Sequence, residues 1–410
     1  MASNPVISFE NTEVAFKNRT DIELKKARFI FSTMRYAWLV KLGIRITPWA
    51  IRNKLPVNGI IRKTIFSQFV GGETLEQTTS VAEKLEKYNV LAILDYGVEG
   101  KEGEENFDLA CDEFIRVINY ACSDPNVPFI SIKVTGFIRF TFLEKLHTSM
   151  QSEEGTLMKK FLKTIDELQS DEKEEWHRIR HRMMRICNTA AEKNMGVLVD
   201  AEETWIQDPV DALTMLMMDT FNKKKCVVYN TLQHYRHDRL QFLKVSCEAA
   251  VERNFILGAK LVRGAYMEKE RKRAAELDYP SPIQPDKESC DRDFNAGIEF
   301  CINHIDGIAL IVASHNEYSN LYTIRLLQQK GLPFNHPNVH FSQLYGMSDN
   351  ITFNLAHAGC SVSKYLPFGP IKEVIPYLMR RAQENTSVRG QTGRELSLIK
   401  KELKRRRLHF

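Results

Sequence analysis

The sequence lacks the features that identify several common classes of protein. No two of its eight cysteines form a CxxC pair, and their spacing matches no zinc framework. No uninterrupted apolar run approaches the roughly 20 residues that a membrane-spanning helix needs. The formal net charge of +5 is small for 410 residues and does not indicate a nucleic-acid partner. These absences predict a globular protein with reduced thiols, most of them in its core.

Motifs for nucleotide and metal chemistry are missing as well. There is neither a G-x-G-x-x-G fingerprint nor a Walker A loop, so a dinucleotide would have to bind something other than a Rossmann fold. No HxH or HExxH motif accompanies His315, and we therefore expect no metal. The first 26 residues contain Glu10, Glu13, Asp21 and Glu23. This acidic content argues against a secretory signal and against a transit peptide.

Eight short runs rich in Val, Ile and Leu alternate with stretches of helical spacing from about residue 88. Nearly continuous apolar runs suit strands that are buried on both faces of a parallel sheet. Eight such strands predict an α/β fold, a (βα)8 barrel of the TIM type over residues 88–386. A helical arm over 1–87 precedes it, and a basic tail over 387–410 follows. The runs lie at 90–97, 129–136, 195–203, 226–235, 256–266, 308–316, 339–346 and 360–369.

Each run ends in a residue that a hydrophobic core would not select. Functional groups of such barrels gather at the C-terminal ends of the strands, so we expect these eight residues to share one polar mouth. For any single residue, the alternative is a solvated position where a strand meets its loop. The eight are Asp95, Lys133, Asp200, Gln233, Arg263, His315, Gln343 and Tyr365.

Two long connections differ in composition. Residues 137–194 are predicted to form charged amphipathic helices. Residues 268–292 are charged and contain three prolines, which indicates a surface loop that could move over the barrel mouth.

The segment IKEVIPYLMRRAQEN, after the eighth run, is predicted to be a helix with a charged face. Tyr377 precedes Arg380 by three residues and Arg381 by four, and Glu384 follows Arg380 by four. Two adjacent arginines present planar sets of N–H donors, which suit a small carboxylate ligand, and Glu384 could fix both guanidiniums. A solvated charged face is the alternative, and the arginine pair by itself favours that alternative.

Lys133 and Arg263 form a second pair of cations at predicted strand ends, and Asp200 is a candidate countercharge. Buried cations need partners. A carboxylate substrate together with an electron-rich cofactor would supply them, because a cation near a flavin ring stabilises its reduced, anionic form.

Several segments resemble the motifs of the proline dehydrogenase family and stand in that family's order. The FISIKVTG run fits as well. The resemblance implies a distorted (βα)8 barrel with non-covalent FAD at the C-terminal ends of the strands. The motifs are VLVDAEE at 197–203, VYNTLQHY at 228–235, KLVRGAYM at 260–267, ASHN at 313–316 and YLPFGPIKEVIPYLMRRAQEN at 365–385.

The same resemblance implies roles for individual residues. Arg380 and Arg381 would bind the proline carboxylate, with Lys133 as a third cation and Asp200 close by. The pyrrolidine ring would be enclosed by Leu261, Tyr266, Tyr365 and Tyr377. The implied catalytic residues are Lys133, Asp200, Arg263, Tyr365, Arg380 and Arg381. The implied cofactor contacts are Asp200, Ala201, Gln233, Lys260, Val262, Arg263, Gly264, Ser314, His315, Asn316, Gln343 and Glu384, with Arg263 nearest the reacting edge of the flavin.

The implied reaction is hydride transfer from C5 of L-proline to N5 of the flavin, giving 1-pyrroline-5-carboxylate in the first step of proline catabolism. Electrons would pass to ubiquinone or menaquinone. Met267, Lys260 and Arg263 resemble the eukaryotic-type branch, and the chain is too short for an appended aldehyde dehydrogenase, so we expect a monofunctional enzyme. It would lie beside the inner membrane, in the cytoplasm of a bacterium or in the mitochondrial matrix of a eukaryote whose transit peptide has been removed.

Three alternatives stay open. A hydroxyproline dehydrogenase is the nearest, although Tyr365 favours proline because the hydroxyproline branch has a smaller residue there. An aldolase or lyase barrel would use Lys133 or Lys260 as a Schiff-base nucleophile. A non-catalytic binding barrel is disfavoured by the number of polar groups at the strand ends.

The final segment, GRELSLIKKELKRRRLHF, is strongly basic. We hypothesise that it contacts an anionic membrane surface near the quinone, and a solvated, disordered tail is the alternative. The sequence leaves the oligomeric state open, and a homo-oligomer is compatible with it.

Overall fold

Eight parallel strands form a closed barrel in the computed structural model, in the order β1 to β8. The structure describes residues 7–53, 57–97, 102–387 and 391–408. The strands are β1 (Leu91–Tyr96), β2 (Phe129–Ile132), β3 (Gly196–Val199), β4 (Val228–Gln233), β5 (Leu257–Val262), β6 (Ile308–Ala313), β7 (Val339–Leu344) and β8 (Val362–Phe368). The predicted (βα)8 barrel is confirmed, and each of the eight predicted runs contains one strand.

The strands form where the apolar runs predicted them because both of their faces are buried. Every residue of β3 and of β4 is buried, as a strand between two layers of side chains requires. Parallel pairing places Leu232 opposite Leu261 and Ile93 opposite Tyr365. The polar residues at the strand ends are therefore held by a rigid, hydrogen-bonded sheet.

Helices connect the strands and extend the chain at both ends. The helices among the described residues are α1 (Thr12–Ala15), α2 (Asp21–Met34), α3 (Ala37–Arg52), α4 (Asn58–Ile61), α5 (Ser67–Phe69), α6 (Leu75–Glu86), α7 (Glu104–Ala121), α8 (Phe140–Gln151), α9 (Leu157–Asp166), α10 (Ser170–Glu192), α11 (Thr204–Phe221), α12 (Arg239–Glu252), α13 (Met267–Glu276), α14 (Lys287–Asn303), α15 (Glu317–Gln329), α16 (Asp349–His357), α17 (Ile371–Ser387) and α18 (Gln391–Arg405). A π-helical turn (Arg62–Phe66) and a 3-10 turn (Val134–Gly136) complete them. Helices α8, α9 and α10 fill the connection that was predicted to be helical.

The chain divides into two compact units, which we describe separately. The terminal unit is Met1–Val98 with Phe341–Phe410, and the central unit is Glu99–His340. In the terminal unit, α2 begins with a capping box in which Thr20 and Glu23 each bond the other's backbone N–H. Its apolar core joins α2, α17 and α18 through residues such as Phe31, Leu378 and Leu403.

One sequence prediction about a flexible segment is wrong, and so is one alternative that the sequence left open. The predicted surface loop at 268–292 contains α13 and the start of α14, and Glu270 is fully buried and accepts hydrogen bonds from Thr204. The alternative of a disordered tail does not hold for the described residues, because Gln391–Arg405 form α18. Its apolar side chains are buried and lie three and four residues apart, as in an amphipathic helix; they are Leu396, Ile399 and Leu403.

The eight cysteines are all free thiols, and six of them are buried. The prediction that most thiols lie in the core is therefore confirmed. Burial raises the pKa of the Cys111 thiol to about 11, which makes it a poor nucleophile at neutral pH.

Candidate functional site

Asp200 holds two lysines at the C-terminal ends of three strands of the central unit. Its carboxylate accepts hydrogen bonds from Lys133 Nζ at 3.2 Å, Lys260 Nζ at 2.5 Å and Ser131 Oγ at 2.8 Å. Lys260 is buried, whereas a quarter of the Lys133 side chain is exposed. One carboxylate between two ammonium groups leaves a net positive charge. The cluster therefore suits an anionic or electron-rich ligand, and Lys133 is the cation that is more accessible to it.

Arg263, the first residue after β5, is fixed by three polar contacts and one aromatic ring. Its guanidinium donates to Asp291 at 2.7 Å, to Ser314 Oγ at 2.6 Å and to Ser319 Oγ at 3.0 Å. The group lies 4.2 Å from the ring centre of Phe294. The predicted cofactor residues Arg263 and Ser314 thus lie in contact.

The carboxylate beside Arg263 was not identified from the sequence. Asp200 was the candidate for both cations, but it pairs with Lys133 and Lys260, and Arg263 pairs with Asp291. Burial by itself would raise the pKa of Asp291; hydrogen bonds from Lys287 and Arg263 outweigh it and lower that pKa. Asp291 lies in α14, far along the chain from any strand end, so the pattern of strand ends could not reveal it.

Glu202 is a second residue that the sequence prediction missed. Its carboxylate accepts a hydrogen bond from Thr135 Oγ1 at 2.8 Å and lies 3.3 Å from the Tyr266 hydroxyl. Burial raises its pKa to about 7, although the charge of Lys133 opposes the rise. It is therefore partly protonated at neutral pH. The signal was available in VLVDAEE, where two further acids follow Asp200 directly after a strand.

Gln233 and Gly264 provide the test of whether these residues fit a flavin. Gln233 Nε2 donates to the Glu202 carbonyl at 3.0 Å, and its Oε1 is buried with no hydrogen-bond partner in the described part of the chain. Such an acceptor suits an N–H donor such as the one on the flavin pyrimidine ring. Gly264 has φ of +132°, and a Cβ there would lie 2.4 Å from the Tyr235 ring. Glycine is therefore required, because the Tyr235 ring occupies the space that a side chain would take. The residue itself is exposed, so its backbone can contact a ligand.

The other predicted residues of the central unit lie near these strand ends. Leu261 is fully buried in β5, and Ala201, Val262 and His315 are partly buried. Asn316 caps α15, since its side chain accepts a hydrogen bond from Ser319 N at 3.0 Å. The capping hydrogen bond therefore engages the side-chain oxygen of Asn316.

The predicted substrate helix, α17, belongs to the terminal unit. Tyr377 and Arg381 are both buried, and the Arg381 guanidinium lies 5.3 Å from the centre of the Tyr377 ring. These two residues therefore do not form part of a solvated charged face. Arg380 is partly buried. The side chain of Glu384 lies outside the described part of the structure.

Two more predicted residues lie in strands of the terminal unit. Tyr365 is partly buried in β8 and pairs with Ile93 across the sheet. Gln343 is buried in β7, where its Oε1 accepts a hydrogen bond from Thr352 Oγ1 at 2.8 Å. Gln343 therefore has an internal partner on α16. In the described residues, no group of three His, Cys, Asp or Glu side chains is arranged to hold a metal ion.

Comparison with protein families gives a match over most of the chain. Residues 78–394 match the proline dehydrogenase family, and this range includes every predicted site residue. The chain is 34% identical over 381 residues to proline dehydrogenase 1, mitochondrial, of Dictyostelium discoideum, covering 86% of this chain and 66% of that protein. It is 30% identical over 431 residues to hydroxyproline dehydrogenase of Xenopus laevis, covering 98% of this chain and 90% of that protein.

Solved structures show the same fold. Proline utilization A from Bdellovibrio bacteriovorus, in a crystal structure of the protein inactivated by N-propargylglycine, aligns with 95% of this chain at a TM-score of 0.70. The sequence identity is 18%, and the chain spans 38% of the length of that protein. This similarity establishes the barrel architecture.

Proposed function

Because the chain belongs to the proline dehydrogenase family, as its motifs predicted, we propose that it oxidises L-proline to 1-pyrroline-5-carboxylate with bound FAD. The observation that carries the proposal is the family match over residues 78–394. The cations at the strand ends support it, because proline has a carboxylate and the cofactor is electron-rich. Ubiquinone or menaquinone is the proposed electron acceptor.

The substrate carboxylate is assigned to Arg380 and Arg381. A guanidinium donates in a planar geometry that matches a carboxylate, and burial strengthens the electrostatic attraction of Arg381 for an anion. Lys133 is the third proposed cation, since it is the partly exposed lysine of the Asp200 cluster. The apolar ring of proline is assigned to Tyr377, Tyr365, Leu261 and Tyr266.

The residues proposed to hold FAD supply hydrogen bonds and a fixed positive charge. When bound, FAD accepts the hydride that leaves C5 of proline. Gln233 offers its buried Oε1, Gly264 leaves its backbone open, and Ser314 and His315 lie at the end of β6. Asp291, Ser314 and Ser319 fix the Arg263 guanidinium, so its charge requires no reorganisation when negative charge accumulates near it.

The proline nitrogen must be neutral to donate a hydride from the adjacent carbon efficiently. The side chains assigned to the substrate include no dedicated base, so the proton is proposed to leave to solvent before the transfer. We therefore expect kcat/KM to rise with pH.

A visible spectrum recorded before and after anaerobic addition of proline tests cofactor and substrate together. We expect flavin absorbance in the purified protein and bleaching by proline. The double variant Arg380→Met, Arg381→Met should keep the flavin spectrum and lose bleaching at the same proline concentration. A colourless protein that borohydride traps with its substrate would instead support the Schiff-base lyase.

Hydroxyproline oxidation is the second candidate, because the hydroxyproline dehydrogenase of Xenopus laevis matches 98% of this chain. Tyr365 favours proline, since it occupies the space that a ring hydroxyl needs. Initial rates with the two substrates decide between them. Faster oxidation of hydroxyproline would overturn the preference for proline, and Tyr365→Ser is expected to shift the ratio towards hydroxyproline.

The cellular location follows from the acceptor. Quinones lie in a membrane, and the mitochondrial relative from Dictyostelium discoideum supports the matrix face of the inner membrane rather than the bacterial alternative. Within the described ranges, the structure contains no helix with the length and apolar character needed to cross a bilayer.

A further inference from the structure

The N-terminal arm contains a long stretch in which every charged residue is basic. No Asp or Glu occurs between residues 24 and 72. The stretch covers most of α2 and all of α3, α4 and α5. Its basic residues are Lys25, Lys26, Arg28, Arg35, Lys41, Arg45, Arg52, Lys54, Arg62 and Lys63.

Helix α3 exposes an apolar stripe within this basic stretch. Trp38, Leu42 and Ile46 lie four residues apart, and each is about half exposed or more, at 64%, 47% and 46%. Residues four apart share one face of a helix. Val40, on another face, packs against the core of the terminal unit. The stripe is therefore an outward surface and not part of the core.

Basic side chains border the stripe. Lys41 and Arg45 each follow a stripe residue by three positions, so they lie beside it. Both are exposed, and neither forms an ion pair within the described residues. On α2, Phe29 is likewise 62% exposed, and the exposed Lys25 precedes it by one turn. Exposed aromatic and aliphatic groups thus alternate with cations along α3, where Lys41 and Arg45 have no acid within one helical turn in the sequence.

We propose that α3, with the exposed face of α2, lies in the interface of an anionic lipid bilayer. Trp inserts its ring at the headgroup level while Leu and Ile reach the acyl boundary, and Lys and Arg attract anionic headgroups. The absence of acids over the whole stretch favours a lipid surface over a protein partner, whose binding site would need only a local charge match. The arm would then hold the enzyme beside the membrane that contains the proposed quinone.

The basic tail is a weaker candidate for the same contact. In α18, Arg394 and Lys401 pair with Glu10, and the apolar residues are buried. Arg406, the first residue after α18, pairs with Asp21. Lys400 and Lys404 remain exposed on this helix, four residues apart like Lys41 and Arg45. They provide a control with the same change in charge.

Flotation of the full-length protein with vesicles tests the proposal. We expect binding to phosphatidylcholine vesicles that contain phosphatidylglycerol, little binding to pure phosphatidylcholine, and weakening by 0.5 M salt, since roughly a 4 Å Debye length screens such contacts. Lys41→Glu with Arg45→Glu should weaken binding at least about tenfold. Trp38→Gln with Leu42→Gln should weaken it comparably, and Lys400→Glu with Lys404→Glu should bind like the original chain.

Three results would overturn the proposal. They are no binding of the original chain to anionic vesicles, an equal loss for the α18 control, or unchanged binding by both α3 variants. Proline oxidation with a soluble dye as acceptor is measured on the same samples. If the proposed reaction is wrong, neither the original chain nor any variant will reduce the dye with proline. If only the membrane contact is wrong, dye reduction will be normal and the flotation results alone will differ from those expected.

Discussion

The two units each contain an aspartate that holds two cations, but the two clusters differ in exposure. In the central unit, Asp200 contacts Lys133 and Lys260 at strand ends, and Lys133 is a quarter exposed. In the terminal unit, Asp349 contacts Lys364 at 2.9 Å and Arg19 at 3.0 Å, and all three side chains are less than one tenth exposed.

A glutamate with a raised pKa accompanies each cluster. Burial raises the pKa of Glu202, near Asp200, to about 7 and that of Glu395, near Asp349, also to about 7. Lys364 also donates to the Met347 carbonyl at 2.5 Å, so its ammonium group is enclosed by protein. The comparison shows that two clusters with the same kinds of charge can have different roles, depending on their exposure. The open cluster can receive a ligand, and the closed cluster joins α16, β8 and the segment before α2.

The largest expected difference between the clusters is in the unfolding free energy lost when the aspartate of each is removed. Asp349→Ala leaves Lys364 and Arg19 buried without their counterion, which costs about 3–5 kcal/mol of unfolding free energy. Asp200→Ala takes the same counterion from the buried Lys260, but it should cost less, about 1–3 kcal/mol, because water reaches Lys133 and part of the Asp200 site. Urea unfolding of both variants measures the difference. Equal destabilisation would contradict the assignment of Asp349 to a closed structural cluster.

Glu395 should make the terminal unit sensitive to pH. Its folded pKa of about 7 exceeds the ordinary value of 4.5, so the folded state binds the extra proton between these pH values. This contribution to stability is therefore lost as pH rises from 4.5 to 7. Glu395→Gln stays neutral and should be more stable than the original chain at pH 8, by up to roughly 3 kcal/mol, and similar at pH 4.5.

Unfolding midpoints at the two pH values check this expectation. Glu248→Gln, at an exposed position of α12, is the matched control and should change neither. An unchanged difference between pH 4.5 and pH 8 in Glu395→Gln would show that another group titrates in this range.

Enzyme activity should depend on the Asp200 cluster and not on the Asp349 cluster, which is the reverse of the expectation for stability. Asp200→Asn keeps an acceptor for Ser131 but no longer holds the charges of Lys133 and Lys260, so we expect kcat/KM for proline to fall about 30-fold, roughly 2 kcal/mol. Its stability should change by less than about 1 kcal/mol. Asp349→Asn should retain the specific activity of the folded protein. Steady-state kinetics measure kcat/KM for both variants at a temperature where both are folded. Loss of activity in Asp349→Asn alone would contradict the assignment of the ligand-binding role to the Asp200 cluster.

The barrel was predictable because its signal is local, whereas the clusters depend on distant contacts. Eight apolar runs mark eight strands, and in seven of them a polar residue within two positions of the last strand residue marks the C-terminal end. Tyr365 is the exception, since it lies three residues before the end of β8. Lys133 and Asp200 were found in this way. Lys364 lies inside an apolar run, and its partners Asp349 and Arg19 are 15 and 345 residues away along the chain, so no pattern of spacing connects them.

The sequence of α18 contains the apolar spacing of a core helix, but its many basic residues led to a different prediction. Leu396, Ile399 and Leu403 have helical spacing, but the density of basic residues favoured a membrane-binding or disordered tail. The structure buries these leucines and the isoleucine in the core of the terminal unit. In α3, by contrast, the basic residues lie beside exposed apolar groups. The number of basic residues by itself therefore did not identify which of the two helices is suited to a membrane surface.

The smallest expected effect concerns Glu202 and the pH dependence of the reaction. Ionisation of Glu202 near pH 7 adds a negative charge whose field opposes that of Lys133, so it should weaken binding of the substrate carboxylate as pH rises. This loss works against the gain from deprotonating the proline nitrogen. Glu202→Gln should therefore show a steeper rise of kcat/KM between pH 6 and pH 8, by about threefold over the range. Glu395→Gln, which removes a carboxyl of similar pKa from the closed cluster, should keep the original slope. If both variants change the slope equally, the effect comes from overall charge, and Glu202 has no specific part in substrate binding.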